Sequence, residues 1–194
     1  MSKPEKEYET FCPANQQEWR QWLAANHESK LGVWLLQYKK SAKKSTISWS
    51  EAVDEALCFG WIDSIRKTID EEKFIQFFSK RKPKSAWSKI NKANVERLTN
   101  AGLMQEAGLK SIELAKQNGS WTILDEVEEM VMPKDLEKAL KANHRAANFF
   151  FGLSKSVRKH MLQWITFAKR PETRGKRIEE IVELAAQGLK PKQF

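Results

Sequence analysis

In the stretch EALCFGWIDS, Glu55 to Ser64, an acid follows a tryptophan by two residues. Residues two apart on a strand share a face, so Trp61, Asp63, Ile65, Lys67 and Ile69 fall on one side and Ile62, Ser64, Arg66 and Thr68 on the other. Asp63 is thereby expected on the more apolar face. A carboxylate there must be paired, hydrogen-bonded or neutralised, because burying an unpaired charge is costly. Two uses stand open: a structural one, in which Asp63 pins backbone or pairs with Arg81, and a functional one, in which it meets a ligand or serves as acid or base. Cys58 lies near the C-terminal end of its helix, where the dipole disfavours a thiolate. It reads as a small core residue rather than a nucleophile.

Two further stretches carry polar groups on apolar stripes. In SAWSKINKAN, Trp87, Asn91, Asn94 and Leu98 recur at three- and four-residue steps, with Ile90 and Val95 beside them. Buried amides need hydrogen-bond partners, from loop backbone or from a ligand. In FAKRPETRGKRIEEIVELA, the stripe Ile178, Ile181, Val182 and Ala185 extends back to Arg174. Arg174 is expected to stack on Trp164 or pair with a carboxylate, or else to join Lys169, Thr173 and Arg177 around an anion at the helix start. No P-loop, dinucleotide-binding, nucleophile-elbow or zincin motif occurs, and the three histidines are scattered. Catalytic residues stay unassigned, and neither a metal nor a cofactor is indicated.

The elements that must position these residues follow from periodicity and caps. Asn15 opens a helix pattern with Trp19, Trp22 and Leu23, and VWLLQYKK after Gly32 reads as a strand. Ser48 and Ser50 both offer N-cap oxygens for a helix ending at Gly60. Trp61–Ile69 and Lys73–Ser79 read as an antiparallel hairpin about Asp70, Glu71 and Glu72. A helix is expected from Trp87 to Ala101, capped by Ser85 and ended by Gly102, and another from Gln105 to Asn118. Beyond Pro133, placed at a helix N1 position, everything reads as helix with breaks near Asn143, Gly152 and Pro171. The expected class is α+β: a small antiparallel sheet with flanking helices over residues 1–128, then an all-helical module over 129–194.

The 194 residues carry 34 Lys and Arg against 25 Asp and Glu, a formal charge of +9. That balance favours anionic partners in general. WIDSIRK, KRKPKSAW and AKRPETRGKR mix basic and aromatic residues, as nucleic-acid grooves do, but no RRM, KH or zinc-finger signature accompanies them. Nucleic acid is therefore a less favoured partner than a small anionic ligand. The two cysteines, Cys12 and Cys58, form no C-x-x-C, which fits a reducing cytoplasm. No run reaches the roughly 20 apolar residues of a membrane span.

SWSEAVDEALCFGWIDS, SAWSKINKANVERL with AGLMQEAG, and PKDLEKAL through WITFAKRPETRGKRI resemble the YdeI or OmpD-associated bacteriocin-protection family, nearly end to end. Ser64 stands where members of that family often have glycine, and Lys80-Arg81 where they carry Pro-Arg. The resemblance implies a bacterial intracellular protein tied to bacteriocin or stress protection, whose helical module at about 131–190 occurs beside other N-terminal regions. It implies no established reaction. The expected function is binding of a small anionic ligand or a protein partner in a groove between the two parts. Trp61, Asp63, Arg81, Trp87, Asn91, Lys169, Thr173, Arg174 and Arg177 are the candidate contacts. An enzyme acting on a small polar or phosphorylated metabolite is the alternative, with Asp63 as acid or base and Arg174 as anion clamp.

Overall fold

The computed structural model describes residues 8–39, 41–42, 44 and 46–194. The last residue of the strand read in VWLLQYKK, Lys40, falls outside them. The described residues form two compact units, one running from residue 8 to 85 with 90–121, the other comprising residues 86–89 with 122–194.

The first unit is α+β. Strand β1 (Thr10–Phe11) precedes helix α1 (Gln16–Asn26), strand β2 (Gly32–Tyr38), helix α2 (Trp49–Cys58), the hairpin β3 (Trp61–Thr68) and β4 (Lys73–Lys80), and helices α3 (Lys89–Asn100) and α4 (Glu106–Gln117). The sheet order is β1-β2-β4-β3. β2–β4 and β4–β3 are antiparallel, and the two-residue β1, which periodicity does not reveal, runs parallel to β2.

Local chemistry sets most boundaries. The Asn15 side chain accepts from the Glu18 amide to start α1, and Ser48 and Glu51 form a reciprocal capping box on α2. Ser48, not Ser50, is therefore the cap. Asp70 Oδ1 accepts from the amides of Glu72 and Lys73, both at 2.8 Å, which closes the hairpin turn. Helix α3 begins at Lys89, two residues later than expected, after a turn at Pro83 and Lys84.

One sheet face carries the core. Val33, Leu35, Phe74 and Phe78 alternate inward and are buried, and α1 lies over them: the Trp19 ring meets Phe78 edge-on at 5.4 Å, and Trp22 meets Trp61 at 5.8 Å. Trp19 Nε1 donates to the Ala52 carbonyl at 3.0 Å, tying α1 to α2. Burying each such ring contributes about 2–3 kcal/mol.

The second unit is helical: α5 (Asp125–Glu128), α6 (Lys134–Lys141), α7 (His144–Gly152), α8 (Lys155–Thr166) and α9 (Pro171–Ala186). Pro133 is the N-cap of α6 rather than its first residue, while Pro171 does take the first turn of α9. Leu136, Leu140, Phe150, Leu162, Ile165 and Ile181 centre its core. Among the described residues no helix is long and apolar enough to cross a membrane.

Candidate functional site

The strand arithmetic around Asp63 holds for three residues and then fails. Asp63 pairs with Phe78, yet Arg66 pairs with Gln76, so Ser64 and Ile65 of β3 oppose Phe77 alone in a β-bulge. The bulge shifts the alternation, and Arg66 and Thr68, not Ile65 and Lys67, continue the face of Asp63. Ile65 and Ile69 are consequently 58% and 50% exposed instead of sharing the apolar side. Arg66 lies over the Phe74 ring at 3.7 Å, and Lys67, on the opposite face, over Trp34 at 4.7 Å.

Asp63 itself is half-buried. Its Oδ2 accepts from Trp49 Nε1 at 3.0 Å and from Gln76 Nε2 at 3.4 Å, and Gln76 also donates to the Ser64 carbonyl at 3.1 Å inside the bulge. The aspartate thus anchors the bulge to α2 and β4. Trp61 is fully buried and its Nε1 donates to the His27 carbonyl, which makes it core. Trp49 and Gln76 were not singled out by sequence, although Gln76 interrupts the apolar alternation Phe74, Phe78 and so announces a buried amide.

Beyond the bulge, the first unit holds an open groove of about 750 Å3. Ile62, Ile65 and Phe77 supply apolar wall, Lys80, Arg81 and Lys82 supply positive charge, and Ser79 and Ser85 add hydroxyls. A Cβ on Gly32 would stand 2.4 Å from the tip of the Phe77 ring, so glycine lets that ring lie across β2. Tyr8 and Trp34 flank it, with centroids 4.8 and 5.0 Å away. Burial pushes the Arg81 guanidinium down to about 10, against the opposing attraction of Asp63. Two of the candidate residues, Asp63 and Arg81, are therefore within electrostatic reach of each other.

A second polar cluster in this unit is internal. Glu55 is 4% exposed and accepts from Gln16 Nε2 and Arg20 Nη1, each at 2.6 Å. Arg20 also donates to the Leu103 carbonyl and lies 5.5 Å over the Phe59 ring. Cys58 is completely buried, and desolvation pushes its thiol up to about 11 despite Arg20. At neutral pH it is protonated and shielded. Cys12, in contrast, is exposed. A disulfide reagent at neutral pH is expected to titrate one thiol in the native protein and the second only after denaturation; two rapid native equivalents would contradict this placement.

The C-terminal candidates lie in the second unit. Arg174 grips Asp135 with two hydrogen bonds, Nε to Oδ2 at 2.6 Å and Nη2 to Oδ1 at 3.0 Å. Arg177 stacks over Trp164 at 4.9 Å and donates to its carbonyl. Lys169 is exposed and Thr173 half-buried, and no hydrogen bond among the described residues joins either one to the arginines. Trp87 is buried, while Asn91 is half-buried at the start of α3. Among the described residues no group of three or more His, Cys, Asp or Glu side chains is placed to hold a metal ion.

The hydrogen bonds from Arg174 hold the Asp135 carboxyl below its usual range, against a smaller desolvation cost. A depressed folded value means a contribution fully present above about pH 4 and lost as the pH falls through that value. Asp135→Asn is expected to lower stability at neutral pH and to lower it less at acid pH. Urea melts across that range check it; an equal loss at every pH would contradict it.

Residues 129–188 match a family model described as Bacteriocin-protection, YdeI or OmpD-Associated, and residues 11–111 match one described as Domain of unknown function (DUF8412). The resemblance read nearly end to end is thus confined to the helical module, and WIDS and SAWSKINKAN fall within the other family's span. No curated protein and no solved structure matches the chain.

Proposed function

The chain belongs to the DUF8412 family and ends in a YdeI or OmpD-associated bacteriocin-protection module; from that premise we propose a binding protein that takes a small anionic ligand in the groove beside the β3 bulge. The observation that carries this reading is the union, in one first-unit groove, of Lys80, Arg81 and Lys82 with the apolar wall of Phe77 and Ile62. Clefts of roughly 300–1,000 Å3 with apolar walls and a few convergent polar groups are the usual form of small-molecule sites. Burial around Arg81 lowers the local dielectric, which strengthens the attraction between its charge and an anion in the groove. Asp63 acts here by anchoring the bulge that shapes one wall.

Binding is favoured over catalysis because the groups with chemical potential are engaged elsewhere. The Cys58 thiol is enclosed, Asp63 accepts from Trp49 and Gln76, and Arg174 is committed to Asp135. Phenyl phosphate, which pairs an anion with a ring, is expected to raise the melting temperature at constant ionic strength. At 100 times its dissociation constant the stabilisation is about 2.7 kcal/mol. Replacing Lys80, Arg81 and Lys82 together by alanine is expected to remove the shift. No shift in the native protein, or an undiminished one in the variant, would sink the reading.

Nonspecific nucleic-acid binding is a second reading, supported by Lys67 over Trp34 and Lys44 over Tyr38. It predicts affinity that falls steeply with salt and ignores sequence.

A further inference from the structure

Within the second unit, the end of α5, α6, the end of α7 and the start of α8 line an open pocket of about 380 Å3 in which Met130, Met132 and Phe151 form the apolar wall. The anion groove above lies in the first unit and shares no residue with it. Three observations bear on its use. Met130 closes α5 with φ 59, the left-handed position that normally selects glycine. Its amide donates to the Val127 carbonyl and the Val131 amide to that of Glu126, so the turn is hydrogen-bonded in place. A non-glycine residue in such a conformation is costly, and such sites concentrate where a side chain has work beyond the backbone.

Phe151 is 53% exposed, an unusual placement for a large ring, and it stands against Phe150 at 5.6 Å. Methionine and phenylalanine together make an adaptable apolar wall. The third observation is Arg158. Its Nε is buried and has no hydrogen-bond partner, and its side chain lines the pocket with Lys155 beside the first turn of α8. With Nε covered by protein, Arg158 meets the pocket through the rest of its side chain; its charge and that of Lys155 on one pocket are complementary to a carboxylate, and the positive end of α8 adds to that preference.

Two carboxylates in the same lining limit the charge of the ligand. Glu129 and Glu137 also line the pocket; Glu137 is paired with Lys141 at 2.6 Å, while Glu129 projects into solvent. A single negative charge is matched by Arg158 and Lys155, whereas a second charge would meet a lining that already holds two carboxylates. We infer that this pocket binds a small monocarboxylate with an apolar body, its carboxylate on Arg158 and Lys155 and its body against Met130, Met132 and Phe151.

The test is methyl NMR on the full chain labelled at the methionine methyl groups, titrated with 4-phenylbutyrate, with its amide, and with acetate. Saturable shifts of the Met130 and Met132 methyls are expected with 4-phenylbutyrate alone. Arg158→Gln is expected to weaken that binding at least tenfold with an unchanged melting temperature. Should that variant fail to fold, Phe151→Ser, at an exposed position, is expected to weaken it several-fold. Equal shifts with the amide would mean an apolar pocket without charge recognition. Equal shifts with acetate would mean a charge site without an apolar wall. Either result, or no shift at all, overturns the proposal.

Discussion

Gly108→Ala is expected to lose about 3 kcal/mol of stability, at the upper end of the cost of overpacking. Built on the backbone, a Cβ at Gly108 would stand 2.3 Å from the Cys58 carbonyl oxygen and 2.8 Å from its carbon. Both atoms are backbone, so no rotamer change relieves the contact. α4 must move away from the end of α2, and the bond from the Gln105 amide to the Cys58 carbonyl, 3.1 Å, is lost with it. Gly60 lies in the same seam, with φ +71 and its own virtual Cβ 2.9 Å from the Ala107 carbonyl. The matched control is Gly175→Ala in α9, where a Cβ meets nothing within 4 Å. There alanine should add about 0.5–1 kcal/mol through helix propensity. Thermal melts of the two variants should therefore move in opposite directions; a neutral Gly108→Ala would show that the α2–α4 seam is looser than the structure has it.

The second large effect is expected at Glu55. Its side chain is 5% exposed and that of Arg20 28%, so Glu55→Ala leaves a half-buried guanidinium and the Gln16 amide without their acceptor. Breaking a fully buried pair costs about 3–5 kcal/mol; with Arg20 partly in water, about 2–3 kcal/mol is expected. The double replacement Arg20→Met with Glu55→Met should recover most of that loss, because it removes the desolvation cost along with the attraction. Urea midpoints of the single and double variants decide this. A double variant as unstable as Glu55→Ala would mean that the packing, not the charge, was lost.

Local signals were legible and tertiary ones were not, and the division falls between particular residues. Asn15, Ser48 and the glycine ends at Gly60 and Gly102 act within a few residues, so helix boundaries follow from caps and φ. The bulge between Asp63 and Arg66 has no such signal: it is a property of the pair β3–β4, and it reverses every assignment of face beyond Ser64. The partners of Arg174 and Glu55 were equally hidden. Asp135 is 39 positions from Arg174, and Arg20 is 35 from Glu55, separations at which only packing chooses the partner. Of the alternatives open for Arg174, the structure takes the carboxylate, that of Asp135, and Trp164 instead receives Arg177. The groove was half-legible: KRKPKSAW shows its mixture of basic and aromatic residues, but Phe77, which forms the wall, and Gly32, which makes room for its ring, look like ordinary strand residues until β2 and β4 are paired.

The central claim, that the groove beside the β3 bulge is an anion-binding site, is tested most directly by backbone NMR of the full chain titrated with phenyl phosphate at constant ionic strength. The predicted result is a saturable set of shifts confined to Ile62–Ile65 and Phe77–Ser85, abolished when Lys80, Arg81 and Lys82 are replaced by alanine. Shifts scattered over the lysines of the whole surface, or centred elsewhere than this groove, would contradict it.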